Sequence, residues 1–132
     1  PLMEFAGREN LAPDEAEAYA RAACGPAADS IPALLDAARR TDGRARRCMM
    51  NQALAGVGAD GRRVAETSGT PLAVVTGADD PFVERSALLS VGYASLWRGK
   101  VHVMAGCGHA PFLDMPAEFN ELLDFFLADI SS

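Results

Sequence analysis

The chain has 132 residues, 49% of them hydrophobic and 23% charged, with a formal net charge of −6. That balance belongs to a globular domain and excludes intrinsic disorder, a collagen-like repeat and a disulfide scaffold. No apolar run approaches the roughly 18 residues of a membrane span, and the acidic balance argues against nucleic acid, whose binding needs a basic face.

The opening Pro1-Leu2-Met3-Glu4-Phe5 has neither the basic region nor the apolar core of a signal peptide. Position 1 is not Met, so a gene start further upstream is expected. Cys24, Cys48 and Cys107 are odd in number and widely spaced, with no C-x-x-C pair. Neither a disulfide framework nor a zinc site is expected, and a reducing cytoplasm is the expected setting. Arg39, Arg40, Arg44, Arg46 and Arg47 crowd into a short stretch. They read as a solvated helix face or as a contact for an anion or a partner.

In chain order, a helix is expected over 13–24. Pro13 suits its first position, Asp14 and Glu15 suit its positive end, and Gly25-Pro26 stops it. Its apolar stripe, Ala16, Tyr19, Ala20 and Ala23, is thin. A second helix is expected over 31–40, with Ser30 as N-cap and Ile31, Leu34, Leu35 and Ala38 at helical spacing. A third is expected over 44–55, with Ala45, Cys48, Met49 and Ala53 facing inward and Gly56 and Gly58 ending it. A short helix follows at 60–67.

The texture then changes. Pro71-Leu72-Ala73-Val74-Val75-Thr76 is a continuous apolar run ending at Gly77, the pattern of a strand covered on both faces. A helix is expected over 83–97, with Leu88, Leu89, Gly92 and Leu96 on one side. Lys100 to Met104 reads as a second strand. Pro116 to Ile130 is the clearest helix, with Phe119, Leu122, Leu123, Phe126, Leu127 and Ile130 on one stripe. Strand, helix, strand, helix is a βαβα unit, with parallel strands and a right-handed crossover.

Each strand runs into a polar loop, Gly77-Ala78-Asp79-Asp80-Pro81 and Gly106-Cys107-Gly108-His109-Ala110-Pro111-Phe112. Ligands of parallel sheets gather at the carboxyl ends of strands. Adjacent strands would bring Asp80 and His109 to one edge, where a carboxylate fixes the tautomer of an imidazole and stabilises its protonated form. The plainer alternatives are N-capping by Asp79-Asp80-Pro81 and a surface histidine held by a structural hydrogen bond. Of the two acids, Asp79 has more of the capping residue and Asp80 more of the site residue. His102, in mid-strand, reads as a packed or edge residue, and Cys107 as a small packing residue rather than a nucleophile. No G-x-S-x-G elbow, P-loop or metal-ligand cluster is present. Ser86, Ser90 and Ser95 fall inside an expected helix. The sequence thus holds a base and its orienting acid without the residue they would activate.

Thr70 to Val83 resembles the segment of α/β-hydrolase enzymes that ends the strand bearing the triad acid, here Asp80. Gly106 to Phe112 resembles the loop bearing the triad histidine, here His109, with the final amphipathic helix behind it. The order and the separation of Asp80 and His109 also resemble the family. The resemblance implies an α/β fold, the C-terminal βαβα part of an α/β-hydrolase parallel sheet at 60–132, preceded by helical cap segments at 1–59. It implies a nucleophile, Ser or in some branches Asp, upstream of Pro1, so that the missing N-terminal half of the hydrolase is itself a partner. The implied substrate is a small apolar ester or acyl compound. Leu34, Leu35, Met49, Met50 and Phe112 are the candidates for its contacts, and no cofactor or metal is called for. A homo-oligomer is compatible with this picture. The competing reading is a truncated, non-catalytic α/β domain that binds a partner or a small apolar ligand.

Overall fold

Helix follows helix through the first part of the chain. The computed structural model describes residues 2–131 and falls into two units, Pro1–Ala59 and Asp60–Ser132. The first unit contains α1 (Leu2–Ala6), α2 (Pro13–Cys24), α3 (Ala27–Ser30), α4 (Pro32–Arg40) and α5 (Gly43–Leu54). Helix α2 has its expected ends. Pro13 occupies a position whose N–H would be unpaired anyway, and the Glu15 carboxylate accepts the Ala12 amide at 2.8 Å. Gly25 closes the helix at φ +58°, a conformation that costs glycine little.

Ala6, Ala16, Ala20 and Ala28 are buried, and the short side chains on α2 let α4 pack closely against it. Methyl-sized burial contributes about 0.8 kcal/mol per carbon, so this unit rests on many small contacts. Two expectations fail here. Ser30 is not the N-cap of the 31–40 helix: it ends α3, its Oγ donates to the Pro26 carbonyl, and Ile31 takes the cap position. Pro32 fixes the helix start one residue later than the apolar spacing implies. Ala45, Cys48, Met49 and Ala53 are exposed, not inward. Gly43 and the half-buried Met50 carry the packing of α5 against α1 and its following turn.

The second unit runs α6 (Gly61–Thr67), β1 (Val75–Gly77), α7 (Arg85–Leu89), a 3-10 turn (Trp97–Gly99), β2 (His102–Met104), α8 (Pro111–Asp114) and α9 (Pro116–Ile130). Asp60 caps α6 by accepting the Arg63 amide at 3.1 Å. The strands are parallel, with Val75 opposite His102, Thr76 opposite Val103 and Gly77 opposite Met104. Flanking bonds from the His102 amide to the Val74 carbonyl and from the Ala78 amide to the Met104 carbonyl, each 2.8 Å, extend the pairing. Both strands are shorter than the apolar runs that announced them.

The expected helix over 83–97 is only α7. The Ser95 carbonyl accepts the Leu72 amide at 2.9 Å, and the Trp97 amide donates to the Leu72 carbonyl at 2.8 Å. Leu96 therefore bridges Leu72 in parallel, and its backbone is extended by a partner 24 residues earlier. Helix α9 has its expected bounds. Phe119, Leu122, Leu123 and Phe126 line a cavity of about 310 Å³ with Val75 and Trp97, while Leu127 and Ile130 are exposed. Trp97 Nε1 donates to Asp129 at 2.8 Å, and the Phe126 ring meets the indole edge-on at 5.6 Å. Among the described residues no helix is long and apolar enough to cross a membrane.

Candidate active site

The two strands end side by side, and the loops that leave them are locked together. A Cβ on Gly77 would lie 2.0 Å from the Gly108 carbonyl oxygen and 2.3 Å from that of Cys107, so only glycine permits this approach. The Asp79 amide donates to the Cys107 carbonyl at 2.9 Å. Gly106, at φ +73°, turns the chain out of β2. The Gly108 amide donates to Asp114 Oδ2 at 2.7 Å, which anchors the histidine loop to α8.

This framework brings His109 Nδ1 to 2.9 Å from Asp80 Oδ2. Asp80 Oδ1 accepts the amides of Phe82 at 2.8 Å and Val83 at 3.1 Å. One carboxylate therefore both closes its own turn and holds the imidazole, whereas the sequence set capping and site roles against each other. Asp79 is exposed and caps no helix: the next one begins at Arg85, with Glu84 as its cap.

The Asp80 side chain is 6% exposed and that of His109 41%. Burial pushes the Asp80 carboxyl up, but the Phe82 amide, the His109 ring and the Val83 amide outweigh it and hold it below the ordinary carboxylate range. An ionised carboxylate only accepts, so Nδ1 carries the proton in this contact, and in the neutral ring Nε2 is the nitrogen with the lone pair. The Phe82 ring meets the imidazole edge-on, centroids 4.9 Å apart, and fixes its plane.

Among the described residues no hydroxyl or thiol is hydrogen-bonded to His109. Ser68 Oγ accepts the Thr70 amide, Ser86 donates to Glu84, and Ser90 donates to the Ala87 carbonyl. Ser95, expected inside the 83–97 helix, lies instead in the extended segment that pairs with Leu72. Cys107 is fully buried. Burial, then the charges of Asp114, Glu118 and Asp79, push its thiol up and away from the nucleophilic thiolate. His102 is buried and stacked on Trp97, centroids 4.6 Å apart, in keeping with a packed residue. No group of three or more His, Cys, Asp and Glu is placed to hold a metal among the described residues.

The residues expected to contact substrate lie on three helices, α4, α5 and α8. Leu34 and Leu35 are half-buried in α4, Met50 is half-buried in α5, and Met49 is 62% exposed. Phe112, 54% exposed, packs edge-on against Phe119. Two site residues escaped the sequence reading. Phe82 sits two places after Asp80 with nothing to mark its ring for the imidazole. Asp114 has the sequence signature of any solvent-facing acid.

The chain matches the profile of the alpha/beta hydrolase family over residues 1–122, and it belongs to that family. It is similar to crystal structures of the N-acyl homoserine lactonase AidH. One, complexed with N-butanoyl homoserine, is 42% identical with a TM-score of 0.90 over 98% of this chain and 46% of that one. Another, of a variant complexed with N-hexanoyl homoserine, is 43% identical with a TM-score of 0.92 over 98% and 46%. An esterase, RhEst1 from Rhodococcus sp. ECU1013, is 22% identical with a TM-score of 0.70 over 95% and 46%, a likeness of fold. The chain thus spans about half the length of these solved structures. No curated protein matches.

Proposed function

We propose that the protein is an acyl hydrolase for a small ester or lactone, in which His109 is the general base and Asp80 its orienting acid. The observation that carries this reading is the 2.9 Å contact between Asp80 and His109 Nδ1 at the carboxyl ends of two paired parallel strands. It leaves Nε2 as the basic nitrogen on an accessible ring. With a serine nucleophile, Nε2 takes the hydroxyl proton as oxygen attacks the acyl carbon, and Asp80 stabilises the imidazolium that forms. The proton passes to the departing alkoxide. Nε2 then takes a proton from water, which hydrolyses the acyl-enzyme.

In this reading the nucleophile and most of the oxyanion hole are supplied from upstream of this chain. Residues 1–59 serve as part of a cap, and 60–132 as the end of the hydrolase core. Leu34, Leu35, Met49, Met50 and Phe112 offer the apolar surface for an acyl chain. The acyl lactonase likeness supports a lactone or ester as substrate.

The test is turnover of N-hexanoyl homoserine lactone and of p-nitrophenyl butanoate by the full-length protein that carries this chain. Hydrolysis of at least one is expected, while residues 1–132 alone should not exceed their own His109→Ala variant. Failure of the full-length protein on both substrates overturns the acyl-hydrolase reading. Turnover by residues 1–132 above that variant would place a nucleophile within them and return Cys107, Ser68 and Ser95 to consideration.

A further inference from the structure

The arginine cluster at the end of α4 and the start of α5 is neutralised at every position but one. Arg39 pairs with Glu17, Arg40 with Asp36 at 2.7 Å, Arg44 with Asp42 at 2.7 Å and Arg47 with Glu9 at 2.5 Å. Among the described residues Arg46 has no carboxylate partner, and its Nε is buried with no acceptor. Asp42 lies within its field, yet that carboxylate is occupied: the Arg44 side chain and amide hold its pKa down at about 2.

Arg46 lines a pocket of about 280 Å³ built wholly within the helical unit. Asn10 and Thr41 supply further polar wall, and Leu11, Pro13 and Ala16 an apolar one. The wall is rigid at its centre. A Cβ on Gly43 would lie 1.5 Å from the Glu9 carbonyl oxygen, so the start of α5 and the segment before α2 are pressed together at backbone distance.

We propose that this pocket binds a small monocarboxylate through the guanidinium of Arg46. A guanidinium keeps its charge at any relevant pH and presents paired donors that match a carboxylate. The apolar wall accommodates a chain of a few carbons. Glu9 is among the lining residues, and its negative charge, although paired with Arg47, disfavours a doubly charged anion such as phosphate. This inference stands apart from the hydrolase reading and needs no turnover to test.

The experiment is an amide and arginine Nε–H chemical-shift titration of the protein with sodium butanoate at fixed ionic strength. Neutral butanamide and inorganic phosphate are the comparison probes. Butanoate should give saturable shifts at Asn10, Thr41, Gly43 and Arg46 Nε–H. Butanamide should give none, and phosphate should bind about tenfold more weakly. Arg46→Gln should weaken butanoate about tenfold or more, while Arg40→Gln, which removes a paired arginine, should leave it unchanged. No saturation, equal binding of butanamide, phosphate as tight as butanoate, or indifference to Arg46→Gln each overturns the proposal. Should Arg46→Gln not fold, the Arg46 Nε–H signal of the unaltered protein decides: a saturable shift supports the site and its absence refutes it. A pocket already closed by a carboxylate side chain in the full-length protein would also read as no saturation, and would overturn a small-molecule site.

Discussion

Oδ2 of Asp80 holds Nδ1 of His109 at 2.9 Å while Oδ1 of the same carboxylate accepts two backbone amides, so the carboxylate is held by its own turn as well as by the imidazole. The bonds that fix Asp80 also hold its pKa below the ordinary 3.8. A carboxyl whose pKa is lower in the folded state adds stability above its unfolded value and loses it as pH falls through the folded one. Urea unfolding should therefore show the protein weakening relative to Asp80→Asn as pH drops from 5 towards 3. Parallel pH dependences would show that the contact does not depend on ionisation.

His102 has the opposite consequence in a higher window. Burial, then the charges of Lys100 and Arg98, lower its pKa from the ordinary 6.5. The unfolded chain then binds the proton first, so stability falls as pH drops through 6.5 towards the folded value. His102→Phe preserves a ring against Trp97 and removes this term. The variant should lose less stability than the parent between pH 7.5 and 5, followed by urea unfolding with Trp97 fluorescence. An unchanged pH slope would mean that His102 is not held neutral.

Gly77→Ala should be severe. Its Cβ would sit 2.0 Å from one carbonyl oxygen and 2.3 Å from another, both on the histidine loop. Backbone cannot yield as a flexible side chain does, and a cost of about 3 kcal/mol is expected. The His109 loop should move with it. Thermal unfolding gives the first quantity and hydrolysis by the full-length protein the second. A variant of near-parent stability would mean that the two loops are not in this contact.

Cys107 should behave as packing. A thiol reagent should label the exposed Cys48 quickly and Cys107 only on unfolding, because the Cys107 side chain is fully buried and its thiol is pushed up. Cys107→Ala should keep hydrolysis within about twofold of the parent, since a buried, protonated thiol does not attack. Preferential labelling of Cys107 in the folded protein would restore it as a candidate nucleophile.

Elements that carry their own punctuation were legible in the sequence. Pro13 and Gly25 bracket α2, and Pro116 with a six-residue apolar stripe defines α9. The stretch over 83–97 was not, although its leucines fall at helical spacing. What overrides that spacing is Leu72, far back in the chain, whose backbone groups take Ser95 and Trp97 as partners. The inward face of α5 misled for a related reason: apolar spacing names a stripe without saying which neighbour covers it. At the site, Asp80 and His109 were legible because each follows a strand-like run. Asp114 and Phe82 were not, because their roles lie in contacts with a loop whose path no local pattern encodes. The choice at Asp80 between closing a turn and holding the imidazole was a false one, since its two oxygens do both.

The most direct test of the central claim is the kcat of the full-length protein on p-nitrophenyl butanoate, compared with His109→Ala, Asp80→Ala and the double variant. His109→Ala should lose on the order of 10⁶ in kcat with little change in KM, and the double variant should be no slower than His109→Ala, because the two residues act as one unit. A His109→Ala enzyme within about threefold of the parent, or losses that multiply in the double variant, would contradict that claim.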